Sequence, residues 1–88
     1  MRALLIDPQA LEDLKWWIQH DKRIALKTLE LIESLPQEPF TGKGKPEALR
    51  FNLSGFWSRR LTQEHRLVYE VTKETIRIVS CRYHYRES

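Results

Sequence analysis

Eighty-eight residues, 41% of them hydrophobic and 31% charged, suit one small globular domain spanning 1–88 and exclude a disordered chain. Three Gly and four Pro leave no room for a long linker. Apolar runs of only a few residues argue against a membrane span or a secretory leader, and the single Cys81 excludes an internal disulfide, so a reducing, cytoplasmic compartment is expected. The net charge of +3 is unevenly placed: residues 1–39 hold five basic and seven acidic residues (−2), residues 40–88 ten basic and five acidic (+5).

Residues 3–6 (Ala-Leu-Leu-Ile) read as a short buried strand that ends at Asp7-Pro8. Asp7 can cap a helix with its carboxylate, and Pro8 suits the first helical position. Leu11, Leu14 and Ile18 then mark an apolar face, with Trp17 beside it, and the helix ends near His20. Adjacent Trp16 and Trp17 cannot share a face, so one is expected in the core and the other partly exposed. Asp21 is a second N-cap. Ile24, Leu31, Ile32 and Leu35 face inward on the next helix, which Pro36 stops. The two helices should form a hairpin.

Residues 36–46 contain two Gly and three Pro and read as a loop at the charge boundary. So long a connection in so small a domain is often functional. Three strands follow: Phe56–Leu61, His65–Thr72 and Ile76–Tyr83, joined by Thr62-Gln63-Glu64 and Lys73-Glu74-Thr75. The expected architecture is α+β, in the order β-α-α-β-β-β. Two of Phe51, Phe56 and Trp57 should pack the sheet against the helices, and Cys81 should be a buried small hydrophobe.

Parity makes a chemical prediction. A three-residue Thr62–Glu64 turn puts Arg60 opposite Arg66. The same turn length at Lys73–Thr75 puts Arg66 opposite Arg82, with His84 on that face. His65 has the opposite parity to Arg66. Several Arg and a His on one sheet face need an anion, and a phosphate fits. Arg interleaved with Phe, Trp and Tyr also suits a polyanion with stackable bases, although a solvated Arg-rich surface has the same composition.

No metal site is expected: His20, His65 and His84 lack ligand spacing, and one Cys cannot complete a zinc site. Gly42-Lys43-Gly44-Lys45 is too short for a phosphate loop and precedes no helix. Acid–base chemistry remains. A carboxylate base such as Glu47, an imidazole acid such as His84 and guanidinium groups suffice for metal-free RNA cleavage through the 2′-hydroxyl. Taken alone, Glu47 more often would be a salt-bridged loop carboxylate and His84 a surface residue of a tail.

Four ordered blocks add to this. Phe-Thr-Gly-Lys-Gly-Lys-Pro-Glu at 40–47, Asn-Leu-Ser-Gly-Phe-Trp-Ser-Arg-Arg at 52–60, Glu-His-Arg-Leu-Val-Tyr at 64–69 and Cys-Arg-Tyr-His-Tyr at 81–85 resemble the YoeB/Txe family. These are toxins of the RelE superfamily from bacterial type II toxin–antitoxin modules. The resemblance covers nearly the whole chain. It implies the small RelE-type α+β fold and a ribosome-dependent mRNA endonuclease that cuts in the A site without a metal or cofactor. It implies Glu47 as general base, Arg66 as transition-state stabiliser and His84 as general acid. Arg60, Arg50 and Lys45 match phosphate-contacting positions, and Tyr85 an aromatic that positions the substrate. Implied partners are mRNA, the ribosome, an antitoxin with a flexible acidic segment, a second copy of the chain, and operator DNA together with antitoxin. Arg50 departs from the Lys common in the family, and Arg86-Glu87-Ser88 extends past the tyrosine at which some members end. The competing reading from another class is a non-catalytic RNA- or DNA-binding module, or an antitoxin-dependent transcriptional co-repressor.

Overall fold

The computed structural model describes residues 2–49 and 54–83. The expectations at Arg50, Phe51, His84, Tyr85 and the 86–88 tail lie outside the described residues. Strand β1 (Ala3–Ile6) leads into helices α1 (Pro8–His20) and α2 (Lys22–Ser34). After the loop come β2 (Glu47–Ala48), β3 (Phe56–Arg60), β4 (Arg66–Val71) and β5 (Thr75–Ser80). The sheet order is β1-β5-β4-β3-β2, with β1 parallel to β5 and every other pair antiparallel. The class is the expected α+β, but the order gains a strand: two-residue β2 is too short to leave a periodic signature.

Helices cover one sheet face. Leu67 and Tyr69 of β4 and Ile76 and Ile78 of β5 point to that side, fully buried, and meet Leu31 and Ile32 of α2, Leu35 at its C-cap and Trp17 of α1. The core face of α2 is the predicted one. Asp21 caps it as predicted, its carboxylate accepting from the backbone N–H of Arg23 and Ile24 (3.2 and 3.3 Å).

Three local expectations are corrected. First, β1 is exposed along its whole length, with Leu5 and Ile6 nearly half open, because it is an edge strand paired on one side only. Second, Asp7 stands at the N-cap but makes no side-chain cap; its carboxylate is taken by Arg77 on β5, which also donates to Glu70 (3.0 Å). Third, the buried stripe of α1 is Ala10, Asp13 and Trp17, while Leu11 and Ile18 are exposed. The helix is turned so that Asp13 and Trp17 reach the backbone just after β5. Trp16 is half-buried, the expected division of the pair.

The first hairpin has the predicted register, with Arg60 opposite Arg66. Thr62 Oγ1 accepts from the N–H of Glu64 and His65 and fixes the turn (3.2 and 3.1 Å). The second hairpin is one residue tighter than predicted. Thr72 N–H donates to Thr75 O (2.9 Å), so Val71 lies opposite Ile76. Thr72 Oγ1 accepts from the N–H of Glu74 and Thr75 and closes this shorter turn. An irregularity at Val68/Tyr69 then absorbs one residue and sets Val68 opposite Ser80. Described strand pairing ends there. Arg82 therefore does not join Arg66; its guanidinium lies 3.9 Å from the centroid of the Trp16 ring. Trp57 packs against the core, but Phe56 is on the other face, under the Arg77 guanidinium.

Candidate nucleic-acid cleavage site

The sheet face turned away from the helices carries the predicted charges. On β3, Ser58 and Arg60 point to this side. Arg66 of β4 lies opposite Arg60, and Glu47 of β2 lies opposite Ser58. Arg66 is drawn between its neighbours: Nη1 donates to Ser58 Oγ (3.0 Å), and Nη2 stands 3.7 Å from Glu47 Oε1. The Arg66 side chain is 16% exposed and that of Glu47 58%. A carboxylate open to solvent thus sits beside a largely buried guanidinium held by a buried serine. Such a pair can take a proton from a hydroxyl and balance the charge that grows on an adjacent phosphate. Arg60 is exposed at the same end of the face.

Lys45 precedes this pair by two residues, exposed and in the left-handed region (φ 51°). The neighbouring Gly44 (φ 86°) accepts the backbone N–H of Arg60 at 2.7 Å, which ties the loop to β3. A Cβ at Gly44 would stand 3.1 Å from Arg59 Cβ and 3.2 Å from Arg60 O, so the loop approaches the strand as closely as a residue without a side chain allows.

Arg59 is the residue that sequence reasoning missed. It lies on the core face opposite Leu67, 1% exposed. Among the described residues no carboxylate forms an ion pair with it. Its Nη2 donates to the carbonyls of Glu38 and Thr41, Nη1 to that of Lys43 (3.1 Å), and Nε to Tyr69 Oη (3.1 Å). Tyr69 in turn donates to Pro39 O (2.7 Å). Burial pushes the Tyr69 hydroxyl above its ordinary pKa despite the opposing pull of Arg59. One guanidinium fork thus gathers three loop carbonyls and shapes the 36–46 loop that delivers Lys45 and Glu47. The signal was available: Trp57, Arg59 and Leu61 share the apolar parity, and an Arg at that parity must be buried.

Beyond β5, the chain is held through its backbone by side chains of α1. Cys81 N–H donates to Asp13 Oδ2 (3.0 Å), and Trp17 Nε1 donates to Cys81 O (2.7 Å), all buried. Burial, reinforced by the Asp13 carboxylate, pushes the Cys81 thiol up to about 12. Cys81 is the buried small residue expected. Two residues on, Tyr83 is held by His65 and Arg66: its N–H donates to His65 Nδ1 (2.8 Å), and its carbonyl accepts from Arg66 N–H (3.1 Å). Of the predicted site residues, Glu47, Arg60 and Arg66 share one face, Lys45 borders it, and Arg50, His84 and Tyr85 lie outside the described residues.

Comparison with known proteins gives the family and the fold. Residues 6–85 match the family described as YoeB-like toxin of bacterial type II toxin-antitoxin system. Toxin YoeB of Escherichia coli (strain K12) is 54% identical over 82 residues, covering 93% of this chain and 98% of the relative. Toxin RelK of Mycobacterium tuberculosis is 44% identical over 85 residues, covering 97% and 100%. Among solved structures, the YoeB/ParE toxin from Agrobacterium tumefaciens superposes with a TM-score of 0.87 at 37% identity, covering 94% of this chain and 99% of that one. The YoeB dimer from Staphylococcus aureus gives 0.83 at 46% identity, covering 96% and 98%. The YoeB-YefM complex from the same species gives 0.81 at 44%, covering 97% and 99%.

Proposed function

Because the chain belongs to the YoeB-like toxins of bacterial type II toxin–antitoxin systems, we propose that it is an endoribonuclease that cuts mRNA in the ribosomal A site and so stops translation. One observation carries this reading: Glu47 and Arg66, on different strands, are brought within 3.7 Å on a basic sheet face, with the carboxylate open to solvent. Glu47 takes the proton of a 2′-hydroxyl. The 2′-oxygen attacks the adjacent phosphorus and the bond to the 5′-oxygen breaks. Arg66 offsets the charge that builds on the phosphorane, and His84 protonates the departing 5′-oxygen. The products are a 2′,3′-cyclic phosphate and a free 5′-hydroxyl. Arg60, Arg50 and Lys45 contact neighbouring phosphates and Tyr85 stacks on the substrate. The chemistry needs no metal or cofactor.

The site works in the cytoplasm on the small ribosomal subunit. The single domain 1–88 pairs with a second copy, as in the YoeB dimer from S. aureus. A cognate antitoxin with a flexible acidic segment neutralises it, as the S. aureus complex with YefM suggests. The +5 half of the chain attracts such a segment. Operator DNA is bound only together with the antitoxin.

The test is cleavage of one mRNA, free and on a ribosome with an empty A site, with ends mapped. Cuts should occur on the ribosome, within the A-site codon. Glu47→Ala, Arg66→Ala and His84→Ala should each lower the rate by roughly 10²–10⁴-fold while remaining folded. Ribosome or RNA binding without new ends would replace the nuclease with a module that acts by occupancy.

A further inference from the structure

We propose that His65 is a positioning residue, whose Nδ1 grips the chain one residue before His84. This rests on the nuclease reading above and extends it to a residue outside the assigned site.

His65 follows the Thr62–Glu64 turn, with parity opposite to Arg66, so it cannot join Glu47 and Arg66 on their face. Its ring is half-buried, edge-on to Trp17 at 4.8 Å between centroids and tilted against Tyr83 at 4.9 Å. Trp17 is 4% exposed and is itself tied to Cys81 O, so the imidazole packs on a fixed wall. Nδ1 accepts the Tyr83 N–H at 2.8 Å, which requires that nitrogen to carry no proton.

The grip falls where the chain has left the sheet. Tyr83 has a φ of 59°, in the left-handed region that residues with bulky side chains seldom occupy. Such a conformation persists only where its surroundings impose it. Here the two consecutive residues 65 and 66 take both backbone groups of Tyr83, the first by side chain and the second by main chain. Asp13 and Trp17 hold both backbone groups of Cys81 in the same way. The point from which residue 84 departs is therefore fixed relative to Arg66, and His65 supplies the one side-chain bond in that last clamp. A proton donor misplaced by about 1 Å can cost about a hundredfold in rate.

Two variants of the full chain separate positioning from general stability. His65→Phe keeps an aromatic ring against Trp17 and removes the acceptor. His65→Asn restores an acceptor oxygen near the Nδ1 position. In His65→Phe the Tyr83 amide should exchange at least about tenfold faster than in wild type, because a local clamp opens without global unfolding. In the ribosome cleavage assay its kcat should fall about 10- to 100-fold with KM within about twofold, since substrate contacts persist and the donor is misplaced. His65→Asn should recover most of both losses. Unchanged Tyr83 exchange and unchanged kcat in His65→Phe would overturn the proposal. So would a loss in both variants that tracks only their unfolded fraction. A wild-type protein that cuts nothing overturns the nuclease reading alone. The exchange data then decide the clamp by themselves.

Discussion

Replacing Arg59 by Met tests what shapes the loop that presents Glu47. Methionine fills much of the same volume, so the change removes charge and donors rather than opening a large cavity. The guanidinium makes four hydrogen bonds, to the carbonyls of Glu38, Thr41 and Lys43 and to the Tyr69 hydroxyl. At roughly 1.5 kcal/mol for each bond from a charged donor, their loss amounts to about 6 kcal/mol. Glu38, Thr41 and Lys43 are themselves exposed residues, so water can reach much of the freed backbone, and Tyr69 keeps its bond to Pro39 O. A net loss of about 3 kcal/mol remains, near the low end of what breaking a buried charged contact costs. With a urea slope of about 1 kcal/mol per molar for a chain this small, the midpoint should drop by about 3 M. The neighbouring exposed Arg60→Met should shift stability by no more than about 0.5 kcal/mol. Amides of residues 41–47 should exchange faster in the Arg59 variant even where global stability is restored with an osmolyte. A loss below about 1 kcal/mol with unchanged exchange in that loop would refute the account of Arg59 as its organiser.

Gly44→Ala should destabilise by about 1–2 kcal/mol in the same urea assay, because a Cβ there meets Arg59 Cβ and Arg60 O and the φ of 86° is unfavourable for alanine. An equally stable variant would mean that the loop moves freely off β3. The Cys81 thiol, raised from 9.0 to about 12, should resist alkylation at pH 8 in the native protein and react at once in urea, as thiol titration will show. The sign of its effect on stability follows. A folded pKa above the unfolded one means stability is complete below about pH 9 and declines as pH rises toward 12, by about 1.4 kcal/mol per unit. Cys81→Ala should flatten that part of the profile; an unchanged alkaline decline would assign it to other groups.

What the sequence made legible depended on how local each cause was. The Asp21 cap and the Thr62–Glu64 turn are decided within four residues, and both stand as read. That turn is enough to bring Arg60 and Arg66 to one face. The second turn went astray because the Thr72 side chain closes it one residue early, and the irregularity at Val68/Tyr69 that compensates leaves no mark in composition. The face of α1 differs from the Leu11, Leu14 and Ile18 stripe because the carboxylate of Asp13 is buried against a backbone N–H 68 residues away, a contact that apolar spacing does not register. Arg59 was hidden for the same reason: a charge is read as surface until the carbonyls that surround it are known. For the site, parity could place Arg60 and Arg66 on one face, but nothing periodic marked the two-residue strand that brings Glu47 beside them. The roles came from the resemblance, since a carboxylate beside a guanidinium is also an ordinary salt bridge.

The parallel pairing of β1 with β5 governs the order in which this molecule can be assembled. Ala3 meets Thr75, 72 positions later, and closing such a loop costs about 4 kcal/mol of chain entropy before any contact repays it. The hairpins of β3, β4 and β5 close over a few residues and can form early; β1 is synthesised first and finds its place last. The same late event brings Asp13 and Trp17 of the early helix onto Cys81, and with them the wall behind His65. A nascent chain that has already made Glu47 and Arg66 therefore still lacks the framework around them. The machine that synthesises this chain completes that framework only when the last strand and the turn beyond it have emerged.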